Sequence, residues 1–329
     1  MPGPIVAVCG KCALLLAAAL FSVGSRAGEL SKYPDKPVRM IVPLAPGGGS
    51  DIVGRIAAQA LTQHWGQSVV VDNRPGAGST IGTAIAARAT ADGYSLLVTS
   101  SSFAIGSALY PNLWYDVVKD FDAITLIASQ PSVIAVNPAV RAKTLKELIA
   151  LMQAEPGKLG FGSAGQGTAS HLANELFLMT AGVKAMHVPY KSAGLAATAL
   201  LGGEIQFMVT NMATAVPLVR SGRLRGLAVT SPRHSSAVPE LPTASEAGLA
   251  GYEYATWYGM LAPAGTPRRI LTQISGDMGA ILQSPRVVER FAAQGLDVQP
   301  TTGAEFAAYV KTELTTWSRV VRTAGLRVQ

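Results

Sequence analysis

A short apolar run that leads into three consecutive glycines constrains this chain more than any other stretch. Residues 38–42, Val-Arg-Met-Ile-Val, are mostly β-branched or large and apolar, which predicts a buried strand. Gly47, Gly48 and Gly49 follow shortly after, and apolar residues then recur at helical spacing from Ile52 to Trp65. A helix that begins at a glycine-rich turn points unpaired N–H groups and the positive end of its dipole at an open space. The stretch predicts a pocket for a small anion, although the same unit can also serve packing alone.

A second copy of this unit favours the binding interpretation. Residues 159–163 predict a strand, Ala164-Gly165-Gln166-Gly167 a turn, and Thr168 the N-cap of a helix that carries Leu172, Leu176 and Met179 on one face. The two copies lie about one domain's length apart. They therefore predict two lobes that face a shared cleft.

The rest of the chain alternates strands with helices, which predicts parallel sheets covered by helices. Two longer extended stretches, near 123–136 with a break at Pro131 and near 254–261, predict crossings between the lobes. Capping boxes at 144–147 and 302–305 mark two helix starts. Trp114, Trp257 and Trp317 are expected in the core or at the hinge.

The N-terminal residues predict a leader for export. An apolar run of about a dozen residues, too short to span a membrane, precedes Ser25-Arg26-Ala27, a site with small residues for cleavage after Ala27. Both cysteines, Cys9 and Cys12, lie inside this leader, so cysteine chemistry is excluded from the mature chain. We expect a periplasmic protein without a membrane anchor.

Composition and motifs argue against two other classes of protein. Without the leader the chain has 25 basic and 20 acidic residues, scattered singly, which favours an anionic small ligand over nucleic acid. The sequence has no zinc-protease His-Glu-x-x-His motif, no Gly-x-Ser-x-Gly elbow and no nucleotide-binding glycine loop. An α/β enzyme is thus disfavoured, and neither a metal nor a cofactor is expected.

A set of six motifs closely resembles the Bug family, the extracytoplasmic solute-binding receptors of tripartite tricarboxylate transporters. In chain order the motifs are Tyr-Pro-Asp-Lys-Pro-Val at 33–38, Pro-Gly-Gly-Gly-Ser-Asp at 46–51, Asn-Arg-Pro-Gly-Ala-Gly at 73–78, Gly-Ser-Ala-Gly-Gln-Gly-Thr at 162–168, His-Val-Pro-Tyr-Lys at 187–191 and Leu-Ala-Val-Thr at 227–230. They span nearly the whole mature chain. The resemblance implies an α/β, two-lobed periplasmic-binding-protein (Venus flytrap) fold, type II-like, with two crossover strands.

The resemblance also implies the ligand and the lobes. A small organic carboxylate would be held by main-chain groups, hydroxyls and waters, and a monomer would deliver it to the membrane subunits of the transporter. With the leader at 1–27, lobe 1 is predicted at 28–126 plus 258–329 and lobe 2 at 127–257. By position, the implied ligand-binding residues are Ala45, Gly48, Gly49, Ser50, Ser100, Ser101, Ser163, Gly167, Thr168, His171, Tyr190 and Asn211.

Some roles stay open at this point. Members of the family often carry an acidic residue before the asparagine at 211, and Thr210 stands there instead, which favours a plain carboxylate over an amino acid. His171 is expected either as a neutral donor to the ligand or in a structural hydrogen bond, and His187 is expected to pack. Asp51 is expected to cap its helix. The same fold also serves receptors that signal to a membrane sensor.

Overall fold

The computed structural model describes residues 33–110, 112–235 and 237–326, together with Met1 and Gly3. The chain divides into a unit Met1–Asp35 and a unit Lys36–Gln329, and the fold described below is that of the second unit. Apart from Met1 and Gly3, the predicted leader 1–27 with Cys9, Cys12 and the cleavage site lies outside the described residues. Within the described ranges, no helix is both long enough and apolar enough to cross a membrane.

Ten strands, ten α-helices and a short 3₁₀ helix at Ala77–Ser79 make up the described part of the second unit. The strands are β1 Val38–Val42, β2 Val69–Asn73, β3 Ser95–Ser100, β4 Phe121–Val136, β5 Gly160–Ser163, β6 Met186–Pro189, β7 Phe207–Asn211, β8 Arg225–Val229, β9 Ala255–Pro263 and β10 Asp297–Val298. The α-helices are α1 Gly49–Trp65, α2 Thr80–Ala87, α3 Ser102–Leu109, α4 Leu145–Ala154, α5 Ala169–Ala181, α6 Ala193–Gly202, α7 Met212–Arg220, α8 Arg268–Gln283, α9 Pro285–Ala292 and α10 Gly303–Thr323.

One βαβαβα unit occurs twice. In the first copy β1 pairs in parallel with β2 and β3, and in the second copy β5 pairs in parallel with β6 and β7. The crossing strands β9 and β4 join these sets antiparallel, in the order β2-β1-β3-β9-β4-β7-β5-β6. The prediction of parallel sheets is therefore correct within each copy and wrong for the joining strands. Antiparallel strands arise there because the chain passes back and forth between the lobes.

The strand β4 belongs to both lobes. Its residues 121–131 pair with β9, and its residues 132–136 pair with β7 and β8. Pro131 does not break the strand, contrary to the sequence-based expectation, and is the last residue paired with β9. The strand β4 thus changes its pairing partners between Pro131 and Ser132.

Strand register places the carboxyl ends of β3 and β7 opposite each other. Ser100 at the end of β3 aligns with Tyr258 of β9, which aligns with Ala128 of β4. Asn211 at the end of β7 aligns with Ser132 of β4. Four residues along β4 correspond to about 13 Å at the rise of a strand. The loops that follow the parallel strands of both copies therefore border one cleft.

A continuous apolar core runs from one copy to the other beside the crossing strands. Trp257 of β9 and Trp317 of α10 are fully buried, and both indole N–H groups donate to Glu313 Oε2, at 2.8 and 2.9 Å. These two tryptophans confirm the prediction. Trp114 contradicts it, because 72% of its surface is exposed.

The helix ends follow their sequence signals with one exception. Thr168 caps α5, Gly66 ends α1 in the left-handed conformation, and the box formed by Thr302 and Glu305 is complete. The box at Thr144 is only half formed, because Glu147 accepts the N–H of Lys143 instead of that of Thr144. The helix α3 was not predicted, since its eight residues give little periodicity.

Candidate ligand-binding cleft

The first glycine turn leaves the start of α1 open. Gly48 is the N-cap, has no side chain to offer, and no side-chain cap bonds the first turn of the helix. The first-turn N–H groups of a helix have no intrahelical acceptor. Ala45, Gly47 and Gly48 are exposed beside these groups. The turn therefore presents backbone donors and a positive dipole end to the cleft, as predicted for an anion site.

Asp51 stands in the first turn of α1, where its charge suits the helix start as expected, and it also holds the glycine turn in shape. Its carboxylate accepts the N–H of Gly47 at 2.9 Å, the Asn73 amide at 3.0 Å and the Arg55 guanidinium at 2.9 Å. Burial alone would raise the pKa of Asp51, but the hydrogen bonds from Arg55, Gly47 and Asn73 outweigh it, so the pKa lies below its ordinary value. The carboxylate stays ionised and ties the turn to the end of β2.

Tyr258 lies against the first turn, and sequence reasoning did not find it. A Cβ atom added to Gly49 would overlap the Tyr258 hydroxyl and come within 2.8 Å of the ring carbon that bears it. Burial raises the pKa of Tyr258 to about 12, so the phenol remains a neutral O–H donor at neutral pH. The only hint in the sequence is that Tyr258 lies in the second predicted crossing. Its register with Ser100 is known from the structure alone.

The second glycine turn is organised differently, because side chains of the turn and of α5 accept the backbone N–H groups that would otherwise face the cleft. Thr168 Oγ1 accepts the N–H of His171 and donates to the carbonyl of Gly165 at 2.7 Å. The N–H of Gly167 donates to His171 Nδ1 at 3.0 Å. Ser170 Oγ accepts the N–H of Ala164. The start of α5 is thus capped from within, whereas the start of α1 is not.

A stack of two histidines, His171 buried and His187 half-buried, supports the second turn. His171 and His187 lie parallel with ring centroids 3.7 Å apart, and Phe161 stacks on His187. His171 uses Nδ1 for Gly167, and its Nε2 lies 3.4 Å from Glu175 Oε1. Both ring nitrogens of His171 therefore face protein groups, which favours the structural hydrogen bond over the ligand donor. His187 packs, as expected.

Ser163 does not present its hydroxyl to the cleft. The residue is fully buried, and its Oγ lies 2.6 Å from His187 Nε2 and accepts the N–H of Gly165 at 3.1 Å. Burial, and then the neighbouring Glu204 carboxylate that its hydroxyl faces, raise the pKa of Tyr190. Asn211 caps α7 by accepting the N–H of Thr214. Its side-chain amide donors remain available.

The histidine stack makes folding sensitive to acid. Burial, and to a lesser degree His171, lower the pKa of His187 to about 4. The unfolded chain takes up this proton near its ordinary pKa of about 6.5, before the folded chain does. The free energy of unfolding should therefore be highest above pH 6.5 and fall as the pH is lowered toward 4, by at most about 3 kcal/mol from this residue.

Urea unfolding at pH 7, 5.5 and 4.5 measures this effect. His187→Gln keeps a hydrogen-bond partner for Ser163 and should lose this part of the pH dependence. His234→Gln is the matched control, since its side chain is 50% exposed. Equal pH profiles for wild type and His187→Gln would contradict the assignment.

Several buried hydroxyls near the strand ends have no hydrogen-bond partner among the described residues. They belong to Ser50 in the first turn of α1, Thr99 and Ser101 at the end of β3, Thr210 at the end of β7, and Ser79 before α2. Buried hydroxyls are ordinarily paired, so such a group marks a site that a ligand or water completes. Ser50 and Ser101 were predicted from the sequence. Ser100, also predicted, is paired with Ser102 Oγ at 3.0 Å.

The fold and the cleft together define a two-lobed solute-binding protein of the periplasmic-binding-protein type. The sequence profile described as "Tripartite tricarboxylate transporter family receptor" (TctC) matches residues 53–326. The chain therefore belongs to the receptor family of the tripartite tricarboxylate transporters, and the predicted resemblance is confirmed.

Three relatives show the extent of the similarity. Protein BugT of Bordetella pertussis is 38% identical over 299 residues, covering 90% of this chain and 92% of BugT. The structure of R. palustris Rpa4515 with adipate has a TM-score of 0.74 and 31% identity, covering 90% of this chain and 99% of Rpa4515. MatC from Rhodopseudomonas palustris with bound malate has a TM-score of 0.70 and 29% identity, covering 88% of this chain and all of MatC.

Proposed function

We propose that this receptor captures a small dicarboxylate in the cleft and delivers it to the membrane subunits of a tripartite tricarboxylate transporter. The observation that carries the proposal is the uncapped start of α1 after β1, together with the buried hydroxyls of Ser50 in its first turn and Ser101 after the adjacent strand β3, which have no hydrogen-bond partner among the described residues. A carboxylate oxygen accepts hydrogen bonds from such donors and needs no guanidinium. The related structures hold adipate and malate, which supports this class of ligand.

Isothermal titration with adipate, malate and their diamides tests the ligand class. The acids should bind and the diamides should not. A neutral amide lacks the negative charge, and its NH₂ group is a donor that would face the N–H and O–H donors of the cleft. Hydrogen bonds to a charged group contribute roughly 1.5–3 kcal/mol, so Ser50→Ala and Ser101→Ala should each weaken binding about ten- to a hundredfold. Thr315→Ala, an exposed hydroxyl on α10, is the control. If the diamides bind as well as the acids, the carboxylate site is refuted.

We propose that the two lobes close on the ligand by bending at the crossing strands, with lobe 1 at 28–126 plus 258–329 and lobe 2 at 127–257. The change of partners between Pro131 and Ser132 supports a hinge there. Leu109 at the end of α3 already lies near Gly167 of the second turn, where an added Cβ would be 3.4 Å from Leu109 Cδ1.

Small-angle scattering with and without saturating ligand measures closure. The radius of gyration should fall on binding. An identical value at saturation would rule out the hinge and leave the binding site itself intact.

One arrangement among the described residues resembles catalytic machinery, and its geometry fits binding without catalysis. Ser163 and His187 lie within hydrogen-bonding distance, like a nucleophile and its base. Ser163 is fully buried, however, and the stacked His171 offers His187 no orienting carboxylate. The pair therefore supports the second turn. We expect no hydrolysis of carboxylate esters above background, which a chromogenic ester assay would reveal.

The receptor family is extracytoplasmic, and we propose export with cleavage after Ala27 to give a monomer that starts at Gly28. The short apolar run and the Ser25-Arg26-Ala27 site support this proposal. Intact mass of the periplasmic protein is the check, and a full-length or lipid-modified species would contradict it.

A further inference from the structure

The mouth of the cleft can be located from the strand order. The crossing strands β9 and β4 lie in the middle of that order, and β2 and β6 lie at its two ends. The carboxyl ends of β2 and β6 are therefore the parts of each lobe farthest from the hinge. They lead into α2 and α6, so the first turns of these two helices form the rims of the mouth.

Each rim carries a large apolar side chain that is exposed. Ile81, the second residue of α2, is 42% exposed, and Leu195, the third residue of α6, is 51% exposed. Both residues lie in the first turn of the corresponding helix of the repeated unit. Within the described ranges few large apolar side chains are this exposed, so finding one on each rim indicates a common use.

Each rim also carries an exposed basic side chain, and one acidic residue lies beside each rim, Asp72 at the first and Glu204, near the Tyr190 hydroxyl, at the second. Arg74 follows β2, and although it pairs with Asp72 at 2.9 Å, Arg39 binds the same carboxylate, so the cluster keeps a net positive charge. Lys191 follows β6 and is exposed. Residues 73–91 and 176–203, which contain the rims, include no Asp or Glu. The surface complementary to the two rims is apolar with carboxylates beside it.

We propose that the two rims, Arg74 with Ile81 and Lys191 with Leu195, form the surface that docks on the periplasmic face of the transporter's membrane subunits, through apolar side chains flanked by carboxylates. This inference rests on the proposed function. One half of the surface lies on each lobe. The distance between the two halves therefore fits the membrane subunits only when the lobes are closed. Docking therefore selects the ligand-loaded receptor, and the ligand is released at the mouth that faces the membrane.

The test compares ligand binding with ligand uptake for the same full-length mature protein. Adipate binding is measured by titration. Uptake of labelled adipate is measured in membrane vesicles that hold the membrane subunits, as a function of receptor concentration. Ile81→Glu/Leu195→Glu should bind adipate within about twofold of wild type and require at least tenfold more receptor for half-maximal uptake. Val288→Glu on α9, 40% exposed, is the matched control and should behave as wild type.

A second variant tests the charge separately. Lys191→Glu should raise the receptor concentration for half-maximal uptake, and the increase should shrink at high salt. Lys119→Glu, whose side chain is 81% exposed, is its control.

Three outcomes would overturn the proposal. Wild-type uptake by the rim variants would do so, and so would a loss of adipate binding that accounts for the loss of uptake. A receptor dimer that Leu195→Glu dissociates would show that the rims bind a second copy instead. Failure of the wild type to bind any carboxylate would refute the proposed function itself.

Discussion

Replacing Gly49 with alanine should weaken ligand binding about ten- to a hundredfold and leave the fold intact. The new methyl group overlaps the hydroxyl of Tyr258, which lies in a buried position on β9. Either the phenol moves into the ligand space or the start of α1 shifts away from it. Overpacking of this kind costs about 1–3 kcal/mol of folding stability, and either displacement also distorts the start of α1 that would bind the ligand.

The control lies one residue earlier. An added Cβ at Gly48 meets nothing closer than the Ala45 carbonyl at 3.4 Å, and the backbone there suits alanine. Gly48→Ala should therefore bind much better than Gly49→Ala. Removing the ring with Tyr258→Ala should make the Gly49 substitution harmless, so a double-mutant cycle by titration isolates the contact. Independent effects of the two substitutions would contradict it.

Replacing Trp317 with alanine should destabilise the protein by about 3–5 kcal/mol, the usual cost of deleting a large buried aromatic side chain. The indole is almost fully buried, packs edge-on against Tyr254 with centroids 5.9 Å apart, and donates to Glu313. Tyr254 directly precedes β9, so the cavity would open beside the crossing strands. Denaturant unfolding monitored by circular dichroism measures the loss.

Trp114→Ala is the matched control, since the same side chain is lost from a site that is 72% exposed. Its free energy of unfolding should stay within about 0.5 kcal/mol of wild type. A similar loss for both variants would mean that the core beside the hinge does not depend on Trp317.

The two tryptophans also show where sequence reasoning reaches its limit. Trp114 and Trp317 are the same residue type, and both were expected in the core or at the hinge. Trp317 is followed by Val320 and Val321 on a helix whose apolar face packs inward. Trp114 stands in a segment without periodicity, where the residue type alone says nothing about burial.

Local signals were sufficient for most of the fold and for the position of the cleft. The strands, the glycine-rich turns, the Thr168 cap and the repeat of one βαβαβα unit depend on backbone conformations and spacings that short segments encode. The two extended stretches predicted the crossings, because a strand shared by two lobes must be long. The antiparallel joining of the lobes was missed, since pairing between distant strands leaves no local trace.

Only the tertiary structure shows which predicted site residues have their hydrogen-bonding groups taken up by other protein groups. Ser50 lies in the first turn of α1 and Ser163 at the end of β5, and both were predicted as ligand contacts. Among the described residues the buried Ser50 hydroxyl has no hydrogen-bond partner, whereas Ser163 Oγ lies within hydrogen-bonding distance of His187. The difference arises because β6 brings a histidine beside Ser163. Tyr258 enters the site from 209 positions after Gly49, through the pairing of β9 with β3. Such contacts depend on how strands align across the whole chain, and no local pattern encodes that alignment.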